Sequence, residues 1–551
     1  MQAVSSFLIP QALAILHDGM NRTVPSRVES ALQTLKTLPE VVEGHARNYP
    51  TDIAIICGDR RVSFQDLGSL VRRTAQALRA SGVRAGDRIA YMDKNGWEFA
   101  VLSLAAMEAG VVLVPVNWRL SGPEIVYIVR HSECVLAVVG AEFFDDFASL
   151  GGELPALREI LAAGKGDGSR PSFENWLDGG IDQPLGDPID PSAVAFQMYT
   201  SGTTGKPKGA MITNENFSVA LPVTAVTWGI DPHSTPLISS PVFHIAGIAY
   251  ALAGLWNAGT LVIVREATPV NLLEAIATHR VTSSLLVPAM ILMLLDCPES
   301  SQTDLSSLRR IAYGAAPISQ DVLTRAMALF RCDFVQAYGL TETTGVVVEL
   351  PTDVHRPGYE RPDRLRAAGR PLDGVEIRIS EGFGEELPDG EVGEIWIRTK
   401  QNMIGYWSDV AATADALTVD GWFRSGDVGY LRDGYLFIND RLKDMIITGG
   451  ENVYSSEVEN ALMGHPDVAD CAVIGIPHET WGETVKAVVV LRSDADVDDQ
   501  QILDFCRERL ARFKCPSSID FVDVLPRNAA GKILKRELRL PYWESESRMI
   551  S

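Results

Sequence analysis

What most narrows the fold of this chain is a repeated alternation, from residue 50 onward, of helical periodicity with short, wholly apolar runs. Trp97–Ala109 reads as a helix ended by Gly110, and residues 111–116 directly after it carry no polar side chain, the pattern of a strand buried on both faces. Upstream, Ser63 and Asp66 make a capping-box signature ahead of Leu67, Leu70, Val71, Ala75 and Leu78 at helical spacing. After Gly82 and Gly86, residues 87–92 read as the next strand. Units of this kind predict an α/β fold with a parallel-rich sheet covered by helices.

Near residue 370 the character changes. Residues 375–379 and 391–398 alternate apolar with polar between Gly and Pro turns, and 421–442 continue that style, which predicts a small antiparallel, barrel-like part. After Arg441 a compact α+β unit is expected: a helix over 455–463, strands over 469–476 and 485–491, a helix over 500–510 and a strand over 519–524. The expected organisation is an arm over 1–40, a large body over 41–441 and a small mobile domain over 442–551. Residues 439–444 lack the Gly and Ser of a floppy linker and read as a defined hinge.

Composition enters through charge. With 49 basic against 71 acidic side chains the net charge is −22, which excludes nucleic acid as a partner and requires cations to be concentrated locally wherever an anionic ligand binds. The seven cysteines are scattered without a C-x-x-C pair, which argues against zinc and disulfide scaffolds and for a reducing cytoplasm. Residues 245–264 run uncharged for the length of a membrane span. Gly247, Gly254, Asn257 and Gly259 interrupt them, so a buried helix followed by a buried strand is expected, and no transmembrane segment.

Residues 199–209, Tyr-Thr-Ser-Gly-Thr-Thr-Gly-Lys-Pro-Lys-Gly, hold three glycines, four hydroxyls on Thr and Ser, and two lysines. Glycines let backbone N–H groups close on a ligand, and hydroxyls and lysines suit a polyphosphate. The spacing is not that of a Walker A loop, since no Ser or Thr follows Lys206. The competing reading is a surface loop. Gly314-Ala315-Ala316-Pro317 after an apolar run stays open between a plain strand-to-helix turn and a wall for a flat ring. Gln336-Ala-Tyr338-Gly339-Leu-Thr341-Glu342 sets an aromatic, a hydroxyl and a carboxylate at the end of an expected strand, where open α/β sheets bind ligands. Glu342 as a helix cap and His244 as a satisfied core residue are the bland alternatives.

Together with Asp427 in Arg-Ser-Gly-Asp-Val-Gly and Lys532 in Pro-Arg-Asn-Ala-Ala-Gly-Lys, these motifs resemble, in order and spacing, the adenylate-forming enzymes that include acyl- and aryl-CoA synthetases. The resemblance implies ATP, Mg²⁺ and CoA as the small molecules used. It casts Thr200, Ser201, Gly202, Thr203, Thr204, Gly205 and Lys206 as phosphate contacts, and Gly314, Ala315, Ala316, Gln336, Tyr338 and Gly339 as the adenine slot. Thr341 would contact the α-phosphate, Glu342 and Thr200 would serve the metal, and Asp427 and Arg441 the ribose. His244 would orient the carboxylate, Lys532 would be the catalytic cation, Lys443 the hinge, and Gly449, Gly450 and Glu451 a CoA tunnel. An apolar acid pocket is expected at Ile245, Tyr250, Val287, Met290 and Tyr313, with no buried cation.

The resulting expectation is an acid–thiol ligase: a carboxylic acid and ATP give acyl-AMP and pyrophosphate, and CoA then displaces AMP. A medium- or long-chain fatty acid is the expected substrate. An aryl or alicyclic acid, an acyl-AMP ligase serving a carrier protein, and a non-catalytic binding protein are the rivals. Retention of Lys532 and Glu342 speaks against the last. The resemblance also implies a lysine acetyltransferase and deacetylase acting on Lys532, and a homodimer is one state open to the chain.

Overall fold

The computed structural model describes residues 36–543 apart from 165–167, 201–205, 317, 319, 357, 383, 450, 494, 496 and 528–532, in a compact unit that begins at Thr37. Its first helix, Leu38–Asn48, starts inside the stretch expected to be an arm.

Two sheets dominate. The larger has nine strands in the order Arg370–Pro371, Gly345–Leu350, Asp333–Leu340, Arg310–Gly314, Ser283–Leu286, Pro236–Ile238, Leu261–Ile263, Ile53–Cys57 and Arg60–Ser63. The run from Asp333–Leu340 to Ile53–Cys57 is parallel, and antiparallel strands finish both edges. The second has seven strands, Gly405–Tyr406, Lys208–Thr213, Val194–Thr200, Val112–Pro115, Arg88–Met92, Cys134–Val139 and Glu159–Ala162, again parallel beyond the Val194–Thr213 hairpin.

The local reasons are those read from the chain. Ser63 Oγ accepts from Asp66 N at 3.1 Å and donates to Asp66 Oδ2 at 2.7 Å, starting the helix Phe64–Ala80 whose Leu67, Val71, Ala75 and Leu78 are buried at i, i+4, i+8 and i+11. Trp97–Ala109 is buried over nearly its whole circumference and stops where Gly110 takes φ 66°. The uncharged stretch resolves into the helix Ile245–Trp256 and the strand Leu261–Ile263, both interior. Gly247 lets that helix close on the preceding loop, since a Cβ there would lie 2.3 Å from the Pro241 carbonyl oxygen. Among the described residues no helix is long and apolar enough to cross a membrane.

A third, antiparallel sheet runs Glu385–Glu386, Glu376–Glu381, Gly393–Arg398, Trp422–Arg432 and Tyr435–Arg441. The residues after Arg441 build their own sheet, Glu451–Val453, Ile446–Thr448, Gly482–Leu491 and Val468–His478, with Ser518–Phe521 parallel to the long strand Gly482–Leu491. Helices Ser455–Leu462 and Asp499–Arg507 cover it, and a separate apolar cluster including Ile446, Val458, Val473, Val489 and Ile502 is its core. The closing helix Lys535–Trp543 has no counterpart in the sequence reading, because Pro541 and its charged residues masked the period.

Candidate active site

Three sheets deliver functional side chains to one place. Thr200 ends the strand Val194–Thr200 of the seven-stranded sheet, and its Oγ1 donates to Glu342 Oε1 at 3.2 Å. Glu342 lies in the short 3-10 turn Thr341–Thr343 that follows the strand Asp333–Leu340 of the nine-stranded sheet. The carboxyl ends of two parallel-rich sheets therefore meet at this hydrogen bond, the location at which open α/β sheets bind ligands. From the antiparallel sheet, Asp427 accepts at Oδ2 from the Tyr338 hydroxyl at 2.7 Å and pairs at Oδ1 with Arg441 Nε at 3.3 Å.

Both carboxylates are buried, Glu342 at 8 % exposure and Asp427 at 5 %. A buried carboxylate needs hydrogen bonds or a counter-charge. Asp427 has both, since Arg441 is its register partner across the hairpin Trp422–Arg441. Glu342 receives two hydroxyls on one oxygen: besides Thr200, Tyr406 donates to Oε1 at 2.9 Å. Oε2 has no protein donor among the described residues, so it is the oxygen available to a hard cation. Burial first, and the adjoining Glu342 second, hold the Tyr406 hydroxyl protonated well above the ordinary tyrosine range. Burial first and Asp427 second do the same for Tyr338. Both phenols are thus fixed as donors. Mg²⁺ takes oxygen ligands of this kind, and Glu342 with the Thr200 hydroxyl fits it.

Tyr406 and Ser425 were missed in the sequence. Tyr406 pairs with Ala210 beside the phosphate hairpin, and the Ser425 hydroxyl accepts from Asp427 N at 3.0 Å. A single aromatic after a glycine, in Gly405-Tyr406-Trp407, carries no periodic signal, and only the fold shows that it faces Glu342.

Of the residues expected to form an adenine slot, Gly314, Gln336, Tyr338 and Gly339 lie on two adjacent strands and Ala315 and Ala316 directly after the first. Gly314 faces Ala337 so closely that a Cβ would sit 2.1 Å from the Ala337 carbonyl oxygen, and a Cβ on Gly339 would lie 1.8 Å from that of Gly345. Ala315 takes a left-handed φ of 64° and is exposed, Ala316 is half-buried, and Gln336 Oε1 accepts from the Tyr313 hydroxyl at 3.4 Å. His244 caps the helix Ile245–Trp256 with Nδ1 accepting from Ala246 N at 3.4 Å.

The acid-pocket expectation is served unevenly. Val287 and Met290 are half-buried at the start of the helix Pro288–Leu295. Ile245, Tyr250 and Tyr313 are enclosed in the core. The Tyr250 hydroxyl bonds Ser283 Oγ at 2.9 Å and that of Tyr313 is 2.9 Å from His355 Nε2, so both polar tips are engaged inside the protein. A cavity of about 780 Å³ lies elsewhere, at the amino ends of the strands beginning at Arg88, Val112 and Val194, and shares none of these five residues. Lying at the opposite strand ends, it is not where the motifs converge.

Of the remaining expectations, Ser201, Gly202, Thr203, Thr204, Gly205, Gly450 and Lys532 lie outside the described residues. Lys206 Nζ stands 5.7 Å from the centroid of Tyr127. Lys443 is exposed, and its carbonyl accepts from Arg539 at 2.9 Å. Next to it, Asp440 Oδ2 accepts from the backbone N and the hydroxyl of Ser455, each at 2.6 Å. Gly449 takes φ 60° at the turn Thr448–Glu451, with Glu451 exposed, and the Trp481 ring covers it.

Comparison with known proteins agrees with this geometry. The family described as "AMP-binding enzyme" matches residues 42–407, and "AMP-binding enzyme C-terminal domain" matches 457–532. A fatty acid–[acyl-carrier-protein] ligase, ScoC, of Streptomyces coeruleorubidus is 38% identical over 94% of this chain and 98% of its own. A feruloyl-CoA synthase of an Amycolatopsis species is 38% identical over 90% and 96%. The ATP-bound structure of MatB from Rhodopseudomonas palustris superposes with a TM-score of 0.82 at 30% identity, over 92% of this chain and 99% of that one. With the two-sheet junction and this likeness along nearly the whole length, the chain belongs to the AMP-binding enzymes and is an AMP-forming acid–thiol ligase.

Proposed function

We propose that this chain is an ATP-dependent acyl-CoA synthetase acting on an apolar carboxylic acid, in first place a medium- or long-chain fatty acid. The observation that carries the reading is the meeting of Thr200, Glu342 and Tyr406 within one hydrogen-bonded set, with Tyr338, from the strand that precedes Glu342, bonded to Asp427, which pairs with Arg441 of the antiparallel sheet. A substrate carboxylate oxygen attacks the α-phosphorus of ATP, the bond to the β-phosphate oxygen breaks, and pyrophosphate leaves. The CoA sulfur then attacks the acyl carbon, AMP departs, and the thiol proton passes to solvent.

In this reading Asp427 accepts hydrogen bonds from the ribose hydroxyls while Tyr338 and Arg441 hold it in place. Glu342 and Thr200 hold Mg²⁺, which when bound neutralises charge on the phosphates. Lys532 supplies a point cation to the charge that builds between carboxylate and α-phosphate. Residues 442–551 act as the mobile domain with Lys443 as its hinge, presenting Lys532 for the first step and Gly449, Gly450 and Glu451 for the second. Two chemical steps at one carbon need different groups, which gives rotation a physical motive.

A second reading has a specific support: the ScoC relative, matched over 98% of its length, is named for a carrier protein rather than CoA. Both readings share the first step. A pyrophosphate-release screen over fatty, aryl and alicyclic acids, repeated with CoA and with a phosphopantetheinyl carrier protein, separates them. The expected result is release with an apolar acid and thioester formation with CoA. Replacing Lys532→Ala is expected to cut acid-dependent pyrophosphate release on the order of 100-fold or more, the scale of removing one preorganised donor from developing charge. Retained release in that variant sinks the role given to Lys532.

A further inference from the structure

The hairpin that carries the phosphate loop has two stems, Val194–Thr200 and Lys208–Thr213, and residues at both of its ends are bonded to one helix, Gly122–His131. Just before the loop, the Tyr199 hydroxyl lies 2.7 Å from His131 Nδ1 and accepts from Gln197 Nε2 at 2.9 Å. Just after it, the Pro207 carbonyl accepts from the Tyr127 hydroxyl at 3.1 Å. Tyr127 and His131 are four residues apart, hence on one helix face, and their rings stack at 5.4 Å with 21° between planes.

Three further contacts converge on the same pair. Lys206, the cation that closes the loop, stands 5.7 Å above the Tyr127 ring, within cation–π range. Trp407 Nε1 donates to the His131 carbonyl at 3.0 Å, and Trp407 N donates to the Gly209 carbonyl at 2.8 Å, tying helix and second stem together. Burial holds the His131 ring below the ordinary histidine value, so it stands as a neutral ring beside Lys206. Packing alone does not require these polar contacts. A phenol that reaches the carbonyl immediately beyond a loop, beside a ring bonded to the residue preceding Thr200, fixes the separation of the two loop ends.

We propose that Tyr127 and His131 are positioning residues of the ligase: they hold Tyr199 and Pro207, the residues flanking the expected phosphate loop, in place for triphosphate binding, and act in the nucleotide-using half-reaction alone. The inference rests on reading residues 200–206 as the phosphate loop.

The test compares Tyr127→Phe, His131→Leu and His131→Asn with the parent enzyme, using the acid that releases most pyrophosphate. Two rates are read separately: acid-dependent ATP–pyrophosphate exchange, and CoA-thioester formation from supplied acyl-AMP. Tyr127→Phe keeps the stacked ring and loses only the bond to Pro207, so a rise of about 3- to 10-fold in the KM for ATP is expected, the scale of one hydrogen bond. His131→Leu is expected to exceed it, and His131→Asn, whose amide can still meet the Tyr199 hydroxyl, to recover most of the loss. Thioester formation from acyl-AMP stays within twofold in all three. Equal loss in both half-reactions, or unchanged exchange in Tyr127→Phe, overturns the proposal. If His131→Leu fails to fold, the near-isosteric Tyr127→Phe decides alone. A parent enzyme that gives no exchange with any acid removes the phosphate-loop reading and this inference together, whereas exchange in the parent matched by all variants removes this inference only.

Discussion

On the function proposed above, the region around Glu342 and Asp427 and the sheet that follows Arg441 solve different problems. Around Glu342 and Asp427 the functional groups are interior, and each is bonded to a partner far away in sequence: Thr200 to Glu342, Tyr406 to Glu342, Tyr338 to Asp427. Around Gly449 the groups are exposed, and their contacts are local to one surface: Gly449 N donates to the Trp481 carbonyl at 2.9 Å, and Ile447 N to Glu483 Oε2 at 3.1 Å. Stabilising charge on a phosphate requires donors and acceptors that do not reorganise, which favours the buried, cross-linked arrangement. Guiding a long flexible thiol requires little more than a smooth surface and a backbone that permits close approach. The contrast predicts that substitutions on the first side damage the nucleotide step and those on the second damage the thiol step.

The largest effect is expected at Glu342. Glu342→Gln keeps the volume and the acceptor oxygen for Tyr406 and Thr200, and removes the charge offered to the cation. Pyrophosphate exchange is expected to fall on the order of 100-fold, with only partial recovery at raised magnesium. Exchange within twofold of the parent would break the assignment and with it the contrast. A smaller, opposite effect is expected at Gly449. Its φ of 60° and a Trp481 ring atom 2.9 Å from where a Cβ would stand make any side chain there intrusive. Gly449→Leu is expected to slow thioester formation from acyl-AMP about tenfold and to leave exchange within twofold, the pattern of a blocked path to an intact first site. Loss of exchange in that variant would mean that the two sides are not separable.

Much of this architecture was legible because it is local. The capping box at Ser63 and Asp66, the stop at Gly110, and the expected strands at 87–92 and 111–116 each depend on neighbours in the chain, and each element formed where its pattern lay. The runs at 199–209, 336–342 and around Asp427 stood out as motifs for the same reason, each being contiguous in the chain. What escaped notice was pairing over long separations. Tyr406 meets Glu342 only because the strand Gly405–Tyr406 adds to the edge of the hairpin formed by Val194–Thr200 and Lys208–Thr213, and nothing around Tyr406 announces that edge. The partners of two expected acid-pocket residues were hidden for the same reason: the apolar character of Tyr250 and Tyr313 was visible, but not that Ser283 and His355 would take up their hydroxyls in the core.

A third buried carboxylate sharpens the comparison, with the smallest effect expected on turnover. Glu98, in the first turn of Trp97–Ala109, is as buried as Glu342 and has no hydroxyl or cation bonded to it among the described residues. Burial, opposed first by the hydrogen bond from its own backbone N–H, then reinforced by Asp93 and opposed by Arg265 and Arg60, pushes its carboxyl up to about 7. An unfolded glutamate titrates near ~4.3. Between those two values the folded protein keeps a proton that the unfolded chain has released, so this group makes stability fall as pH rises through that window, and the loss is complete above it. Glu98→Gln mimics the protonated form at every pH. Its melting temperature is therefore expected to match the parent near pH 4.5 and to exceed it by several degrees at pH 8, a gap of roughly 3–4 kcal/mol, with exchange activity unchanged. A difference that stays constant across that range would show that Glu98 has a stabilising partner after all, and that burial alone does not separate a structural carboxylate from those at Glu342 and Asp427.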